Sequence, residues 1–412
     1  MGDVTGLRCI SCGAIYGAEE LEYTCPTCGP RRGTLEVLYD YDALARSFTR
    51  DALARSEERS MWRYLPVLPV VETRFIQPLQ LGWTPLYPAP TLAAELGLAE
   101  LLIKDDGRNP TASYKDRASS IVVIKAQEKG HSTVTCASTG NAASSLAGFA
   151  AATELQTVIF VPLRAPEAKV AQLLIYGARV FIVRGSYDVA YDLASEASHA
   201  FGWYNRSAAM NPYLVEGKKT GAYEIAEQLA WDLPDMVFVS VGDGSVISGI
   251  CKGFEEMQRL GWIDRAPEVV GVQAERSAPV AAAFARYDGA AVAWDDCDAE
   301  TVADSICVGA PRDIVKAVTY VARNGGRFVT VSDHEILVAL GALARRTGVF
   351  AEPAGAAAYA GVVRAAQDGA LAGRRAAVIV SGHGLKDIQG ARKAAGDPTI
   401  IEPSLEAVRE QL

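Results

Sequence analysis

The chain of 412 residues contains 40 lysines and arginines against 49 aspartates and glutamates, a formal net charge of −9 at neutral pH. This balance provides no overall basic surface, so we expect neither nucleic acid nor a membrane as a partner. No apolar run reaches the roughly 18 residues that span a bilayer, and the N-terminus lacks a secretory signal pattern. Length and composition therefore predict a cytoplasmic globular protein of two or three folding units.

Four of the eight cysteines form two pairs near the start of the chain. Cys9 and Cys12 make one CxxC motif, and Cys25 and Cys28 make another, with twelve residues between the pairs. Four thiolates at this spacing suit a closed tetrahedral zinc site, which has no open position for a substrate. Because residues 1–35 are too few to bury a core, we expect a zinc-ribbon-like knob with a structural metal. The alternative is four free thiols in a loop that packs without metal.

The rest of the chain predicts an α/β fold. Residues 36–85 indicate helices and connectors, after which short Val- and Ile-rich runs alternate with Ala-rich helical segments, as in parallel β-α units. The predicted strands fall into two series, at 133–136, 157–161 and 180–183, and at 236–241, 269–273, 328–331 and 377–380. Two sheets, and hence two lobes, are expected. A ligand should bind in the cleft near the carboxyl ends of the strands.

The motif NPTASYKDR, at residues 109–117, runs directly into a predicted helix. It places Lys115 at a helix N-terminus, where the helix dipole disfavours a positive charge and lowers the pKa of an amine. A neutral amine is the nucleophile that forms an imine with a carbonyl compound. The alternative is an ordinary solvated lysine.

Three further polar loops each follow a predicted strand. STGN at 138–141 and GDGSVIS at 242–248 precede helices, so their backbone N–H groups could bind a carboxylate or phosphate. The first could instead be a simple helix cap. The second has neither the GxGxxG spacing nor the Lys-Ser/Thr of a P-loop, which disfavours a dinucleotide or nucleoside triphosphate. SGHGLKD at 381–387 would bring Ser381 to the cleft, whereas His383 and Lys386 are expected to serve the turn or the surface.

In this order along the chain, the motifs resemble the fold-type II pyridoxal-phosphate enzymes, which are tryptophan synthase β-like, and most closely the threonine synthase group. The resemblance extends to NPYLVEGKKT at 211–220, GVQAE at 271–275 and VFAEPAGAA at 349–357. It implies pyridoxal 5'-phosphate as cofactor, a small amino-acid substrate, a homodimer, and two open, mostly parallel sheet lobes. The expected division is a knob at 1–35, the first part of the large lobe at 36–115, the small lobe at 116–215 and the large cofactor-binding lobe at 216–412.

The resemblance also implies roles for individual residues. Lys115 matches the lysine that binds the cofactor covalently and moves the α-proton, and Asn141 matches the asparagine that bonds the cofactor's phenolic oxygen. Ser381 matches the hydroxyl residue beside the pyridine nitrogen. The loop that binds the substrate carboxylate matches Ser138, Thr139, Gly140 and Asn141. The phosphate cradle matches Gly242, Asp243, Gly244, Ser245, Val246, Ile247 and Ser248.

The chain departs from the family pattern at several positions. Ala112 stands where threonine synthases usually have glycine, and the cradle reads Gly-Asp-Gly-Ser instead of a Gly-Asn-x-Gly-Asn type. Leu214 stands where the family has an arginine that contacts the substrate phosphate, and leucine cannot bind phosphate. Arg206, Lys218 and Lys219 are close in sequence and could supply the missing positive charge.

Three functions are compatible with these residues. The first is threonine synthase, a carbon–oxygen lyase that converts O-phosphohomoserine and water to threonine and phosphate. The second is β-replacement or β-elimination on an O-activated serine or threonine derivative, as in the related cysteate synthases. The third is a non-catalytic regulator with the same fold, against which the complete set of Lys, Asn and Ser argues.

Overall fold

The start of the chain folds as a small antiparallel sheet beside the four cysteines. In the computed structural model, which describes residues 4–138, 140–163, 165, 167–185 and 187–412, this sheet has the strand order β2-β1-β3. The elements of this segment are β1 (Val4–Cys9), β2 (Ile15–Tyr16), α1 (Gly29–Arg32), β3 (Leu35–Tyr39), α2 (Tyr41–Ser47) and α3 (Arg50–Ala54). Leu7, Leu35 and Val37 belong to the main hydrophobic core. The cysteine-bearing knob therefore shares its core with the rest of the molecule.

Short 3₁₀ turns at Met61–Val67 and Thr73–Phe75 lead into the first part of the large lobe. The elements that follow are β4 (Leu86–Pro88), α4 (Pro90–Leu96), β5 (Glu100–Asp105) and α5 (Lys115–Glu128). Several strands, among them β3 and β5, were not predicted. β3 lies where only helices and connectors were expected, and the apolar run of β5 is interrupted by Lys104 and Asp105, both of which are buried.

The next segment forms a sheet of its own, with all strands parallel in the order β8-β7-β6-β9. Its elements are β6 (Thr133–Ala137), α6 (Asn141–Ala150), β7 (Gln156–Pro162), α7 (Glu167–Ile175), β8 (Arg179–Val183), α8 (Tyr187–Phe201) and β9 (Tyr204–Asn205). The register pairs Val134 with Thr157 and Val158 with Arg179. The three strands predicted for this region are confirmed.

The remainder of the chain completes a six-stranded sheet with the order β12-β11-β10-β13-β5-β4, in which β4 alone runs antiparallel. The elements are α9 (Leu214–Lys218), α10 (Thr220–Gln228), β10 (Met236–Ser240), α11 (Ser245–Arg259), β11 (Glu268–Ala274), α12 (Pro279–Ala285), α13 (Ile314–Arg323), β12 (Arg327–Val331), α14 (Asp333–Thr347), α15 (Pro353–Gln367), β13 (Arg375–Val380), α16 (Ile388–Ala395) and α17 (Leu405–Arg409). The predicted α/β architecture of two mostly parallel sheets is confirmed. Within the described residues, each helix is too short or too polar to cross a lipid bilayer.

Both faces of the large sheet are covered, which explains its continuous apolar strands. Successive side chains of a strand point to opposite faces. In β10, Val237 and Val239 join one hydrophobic cluster, while Met236 and Phe238 join the other. A strand buried on both faces does not alternate apolar with polar residues. The continuous apolar run MVFV of β10 therefore fits its place in the middle of the sheet.

The knob is tied by hydrogen bonds to the helices of the large lobe. Thr34, just before β3, donates its hydroxyl to Asp313 Oδ1 at 3.0 Å. The other oxygen of Asp313 accepts the hydroxyl of Ser245, the first residue of α11, at 2.7 Å. Lys252 of α11 donates to the backbone carbonyl of Val37 at 2.7 Å. The N-terminal segment thus contacts the start of α11 through one shared carboxylate.

A fully buried cluster of ion pairs fixes α5 against α10. Arg117 donates to both carboxylate oxygens of Asp106, at 2.6 Å from Nε and 3.0 Å from Nη2, and to Glu224 Oε2 at 2.8 Å. Lys104 Nζ lies 2.7 Å from the same Glu224 oxygen. All four side chains are 0% exposed, so two positive charges balance two negative ones away from water. Because Arg117 is two residues beyond Lys115, the cluster also fixes the first turn of α5.

Replacing Arg117 tests how much this ion-pair cluster contributes to the stability of the fold. Arg117→Met leaves Asp106 and Glu224 buried without their main counter-charge, so we expect the free energy of unfolding to fall by about 3–5 kcal/mol. Urea denaturation of the wild type and the variant measures this loss. Arg259→Met, which removes an exposed pair with Glu255, is the control and should cost less than about 1 kcal/mol. Equal, small losses in both variants would contradict the prediction.

Candidate active site

A cavity of about 850 Å³ lies where strands of both sheets end. Cys136 and Ala137 from β6, Ser240 from β10 and Ser381, directly after β13, contribute to its wall. All of these residues stand at or near the carboxyl ends of parallel strands. This is the edge at which open α/β sheets bind ligands, as the strand pattern predicted.

Most of the predicted site residues meet in this cavity. The predicted residues that line it are Lys115, Ser138, Gly140, Asn141, Gly242, Asp243, Gly244, Ser245, Val246, Ile247 and Ser381. Thr139 lies outside the described residues. Ser248 is fully buried, and its hydroxyl donates to the Gly244 carbonyl at 2.8 Å inside the first turn of α11. None of the four clustered cysteines lines the cavity.

The segment before Lys115 is held against residues 381–383 by backbone hydrogen bonds. The Tyr114 N–H donates to the Ser381 carbonyl at 2.9 Å, and the His383 N–H donates to the Ala112 carbonyl at 3.1 Å. This pairing brings Lys115 and Ser381 to the same wall of the cavity. Ala112 has φ of +63°, a left-handed conformation that favours glycine. This strain gives a physical reason for the glycine that is usual at this position.

The Lys115 amine faces the cavity at the first position of α5. Among the residues that the structure describes, no carboxylate lies at ion-pair distance from Nζ. Burial, assisted by the positive charge of Arg206, lowers the pKa of Lys115, although Glu352 and Asp243 act in the opposite direction. The sequence predicted this direction from the helix dipole, but burial is the larger cause. A lowered pKa increases the fraction of neutral, nucleophilic amine.

Asn141, the first residue of α6, has its side-chain amide positioned by Glu352. Nδ2 donates to Glu352 Oε1 at 2.7 Å and to Ser305 Oγ at 3.3 Å. Glu352 directly precedes α15 and is buried. A primary amide carries two N–H groups. Glu352 holds one of them and fixes the orientation of the amide, so Asn141 can donate to a ligand in the cavity only with the N–H that now makes the longer bond to Ser305.

The loop after β10 forms a cradle of backbone N–H groups at the start of α11. Gly244 has φ of +100°, and a Cβ added there would lie 2.6 Å from the Cβ of Ala317. Only glycine fits this turn. The Asp243 carboxylate accepts the backbone N–H of Arg312 at 3.0 Å, so it is engaged outside its own loop. The N–H groups at the N-terminus of α11 suit a phosphate.

The loop between β6 and α6 offers a second set of N–H groups. Ser138 Oγ accepts the Gly140 N–H at 3.1 Å, which turns the chain into the helix. Gly140 is the N-cap of α6 and provides no side-chain cap. The first N–H groups of α6 are thus suited to a carboxylate.

Sequence reasoning assigned no role to several residues of the cavity wall. Glu352 lies within VFAEPAGAA, where an acid in an otherwise apolar run was the available signal. Arg206 and Lys218 also line the cavity, although they were only noted as possible replacements for the missing arginine. Lys219 does not line it, because its amine pairs with Glu216 at 2.6 Å and with Glu256 at 2.8 Å.

Residues 78–382 match the family model described as pyridoxal-phosphate dependent enzyme, a range that includes Lys115, Asn141, the cradle and Ser381. Among solved structures, the processed form of threonine deaminase isoform 2 from Solanum lycopersicum is similar, with a TM-score of 0.67 at 21% identity over 82% of this chain and 94% of that one. An L-serine ammonia-lyase from Rhizomucor miehei has a TM-score of 0.66 at 18% identity, over 77% of this chain and 98% of that one. Fold and family match together define a pyridoxal-phosphate-dependent enzyme.

Two relatives are similar over nearly the whole chain. They are threonine synthases from Methanocaldococcus jannaschii and Methanosarcina acetivorans, each 38% identical and covering 98% of this chain and 98% of the relative. The chain therefore belongs to the threonine synthase family of pyridoxal-phosphate-dependent lyases. The fold-type II architecture implied by the resemblance is confirmed.

The carboxyl of Glu352 makes a pH-dependent contribution that can be measured without cofactor. Burial raises the pKa of Glu352 above its usual 4.5, so the folded state keeps a proton that the unfolded state loses. The unfolding free energy therefore falls as pH rises from about 4.5 through the pKa of the folded state. Glu352→Gln keeps the acceptor for Asn141 but stays neutral at every pH, which removes this fall.

We compare the unfolding free energies of Glu352→Gln and of the wild type. Below pH 4.5 their difference should not change with pH. Above pH 4.5 the variant should become progressively more stable than the wild type. Urea denaturation of the apoprotein between about pH 4 and pH 8 measures the difference. Glu335→Gln provides a contrast of opposite sign, because Ser332 and Arg364 lower the pKa of Glu335 in spite of its burial. A difference for Glu352→Gln that does not change with pH would show that burial leaves its pKa unraised.

Proposed function

We propose that this protein catalyses the threonine synthase reaction, in which O-phosphohomoserine and water give threonine and phosphate. The identity of 38% to threonine synthases over 98% of the chain supports this reaction. The observation that carries the proposal is the meeting of Lys115, Asn141 and Ser381 in one cavity, beside a phosphate-sized cradle.

The residues of the cavity fit pyridoxal phosphate. The Lys115 amine has no acid partner among the described residues, and the N-terminus of α11, which has no side-chain cap, lines the cavity. When bound, this cofactor supplies an aldehyde that links to an amine and a ring that withdraws electrons from the substrate's Cα. Lys115 would hold the aldehyde carbon, the N–H groups of the cradle would hold the phosphate, and Ser381 would stand beside the pyridine nitrogen.

Each residue then has a defined task. The lowered pKa of Lys115 favours the neutral amine, so its Nζ can take the α-proton of the substrate and return it. Asn141 would donate one Nδ2–H to the phenolic oxygen of the cofactor in place of Ser305, while Ser138, Gly140 and the N-terminus of α6 would bind the substrate carboxylate. A neutral hydroxyl at Ser381 does not keep the ring nitrogen protonated as a carboxylate would. This favours elimination and replacement over transamination.

The two alternatives receive no specific support. The β-replacement hypothesis is based on Leu214, which stands in place of the family's phosphate-binding arginine. Leu214 is fully buried in the main core and does not line the cavity. Arg206 and Lys218 do line it, so the wall keeps positive charge in spite of the leucine. The relatives reported above are threonine synthases, which favours neither β-replacement nor a non-catalytic role.

Turnover tests the proposal directly. The holoenzyme should release threonine and phosphate in equal amounts from O-phosphohomoserine. Lys115→Ala should lower kcat/KM by at least about 10²–10⁴-fold, because it removes the group that moves the proton. A coupled assay for inorganic phosphate, with threonine quantified by chromatography, measures both products. Lys129→Ala, which changes a lysine far from the cavity, is the control and should keep the wild-type rate. Turnover of O-phosphoserine in place of O-phosphohomoserine would contradict the proposal.

We infer that zinc occupies the four-cysteine cluster as a structural metal. The Sγ atoms of Cys9, Cys12, Cys25 and Cys28 all lie within 4.8 Å of one another, and those of Cys12 and Cys25 are 3.9 Å apart. A zinc ion with Zn–S bonds of about 2.3 Å in a tetrahedron requires sulfurs about 3.8 Å apart. The donors and their spacing therefore fit zinc, and four thiolates leave no open position for catalysis.

Metal analysis tests this site. We expect one zinc per chain, released by a chelator with a fall in Tm because structural zinc contributes folding energy. The double variant Cys12→Ser, Cys28→Ser should lose the metal. Cys297→Ser, which replaces an exposed cysteine elsewhere, should keep it. Purified wild-type protein without zinc, with an unchanged Tm after chelation, would contradict the inference.

We also propose a cytoplasmic homodimer that acts on a small amino-acid substrate, with lobe boundaries at 35/36, 115/116 and 215/216. The resemblance to the family supports the dimer. The excess of acidic residues supports the expectation that nucleic acid is not a partner.

A further inference from the structure

Arg206 and Lys218 are two of the positively charged side chains that line the cavity. Arg206 directly follows β9 and is 3% exposed, and Lys218 ends α9 and is 2% exposed. The Arg206 backbone N–H donates to the Thr135 carbonyl of β6 at 2.9 Å, and its Nε donates to Ser119 Oγ at 3.2 Å. The Lys218 carbonyl accepts the hydroxyl of Tyr114 at 2.6 Å. Both residues are therefore fixed by the sheets and by the segment that carries Lys115.

In the part of the chain that the structure describes, Lys218 shares with Lys115 the lack of an acid partner. Lys104, Lys219 and Lys252 are equally buried, and each forms an ion pair with a glutamate. Among the described residues, no hydrogen-bond acceptor or carboxylate lies within reach of Lys218 Nζ. Burial, followed by the charges of Lys115 and Arg206, lowers the pKa of Lys218 well below its usual value. An unpaired buried ammonium is costly, and an anion bound in the cavity would remove that cost.

The place of Lys218 on α9 relates it to the leucine at position 214. Residues four apart share one face of a helix, and Leu214 and Lys218 are the first and last residues of α9. The positive charge that position 214 lacks thus reappears one helical turn further along the same face. Arg206 approaches from the small lobe, at the end of the sheet that also carries the Ser138 loop. An anion held by both residues would be bound by both lobes.

We propose that Arg206 and Lys218 form the subsite for the phosphate group of the substrate. This rests on the proposed function, since O-phosphohomoserine carries a carboxylate and a phosphate. The carboxylate is assigned to the Ser138 loop, and the backbone N–H groups at α11 serve the phosphate of the cofactor. The guanidinium of Arg206 supplies a delocalised positive charge with N–H donors suited to phosphate oxygens, and Lys218 adds a point charge.

The phosphate of the cofactor is the competing ligand for the same two side chains. α9 packs closely on α11, since a Cβ added to Gly249 would lie 2.7 Å from the Cβ of Lys218. Lys218 thus stands on the side of the cavity where the cradle lies. The two sources of phosphate are distinguished by measuring the affinity of each ligand separately.

The experiment compares holoenzyme of the wild type with Lys218→Met, Arg206→Met and the conservative Lys218→Arg. Inorganic phosphate is titrated by calorimetry, and its inhibition constant and the KM for O-phosphohomoserine are measured kinetically. We expect Lys218→Met and Arg206→Met to weaken phosphate and to raise KM by about 10- to 100-fold each, as loss of a charge-assisted bond requires. Lys218→Arg should recover most of the affinity. Lys129→Met removes the same charge far from the cavity and should change nothing.

Two further measurements decide the outcome. Cofactor affinity is followed by the absorbance of the reconstituted enzyme, and a loss confined to pyridoxal phosphate would overturn the proposal by assigning the pair to the cofactor. Unchanged phosphate affinity in both Met variants would also overturn it.

The unfolding free energy of Lys218→Met should equal or exceed that of the wild type, because an unpaired buried charge is removed. If O-phosphohomoserine is not turned over but both variants still lose phosphate affinity, the subsite stands and the proposed reaction fails.

Discussion

The constraint on which the rest of the structure depends is that the Lys115 amine must stay buried, uncharged for part of the time, and free of a carboxylate partner. A lysine in such surroundings readily pairs with any acid nearby or turns toward water. The chain prevents both by fixing the backbone on either side of it. Tyr114 is hydrogen-bonded to Ser381 before it, and Arg117 is bonded to two buried carboxylates after it. Among the described residues, the amine has no carboxylate partner and faces the cavity.

Buried charge is distributed unevenly around this point. Behind α5 and α11, Lys104, Lys219 and Lys252 each pair with a glutamate. The hydroxyls of Tyr39 and Tyr223 donate to the carboxylates of Glu216 and Glu256. Toward the cavity, Lys115 and Lys218 have no acid partner among the described residues. The paired lysines behind the helices make the packing of those helices rigid. The unpaired lysines at the cavity are suited to binding anions. The fold thus separates charges that stabilise it from charges that serve ligands.

The sequence predicted β6 to β8, β10 to β13 and the loops at their carboxyl ends, because continuous apolar runs followed by Gly, Ser and Asn are strong local signals. β5 was missed, since Lys104 and Asp105 interrupt its pattern and are tolerated only through contacts with Glu224 and Gly107. Glu352 was missed for the same kind of reason. Its role depends on Asn141, which is distant in the chain, and no local pattern reports such a contact. Ala112 shows the reverse case. The sequence showed only that this alanine replaces the family's usual glycine, whereas its φ of +63° explains why glycine is favoured at this position.

The hydrogen bonds from Thr34 through Asp313 to Ser245 affect where a minimal enzyme could begin. The family match starts at residue 78, which suggests a catalytic unit that could be cut free of everything before it. In this chain such a fragment would lose the Thr34 hydroxyl that Asp313 accepts beside the first turn of α11, and the Val37 carbonyl that receives Lys252. Asp313 would keep Ser245 and Lys252 would keep Glu216, but each buried group would have one hydrogen bond fewer. The cysteine-bearing segment therefore supports α11 from outside the matched range, and a shortened chain would hold the start of that helix less firmly.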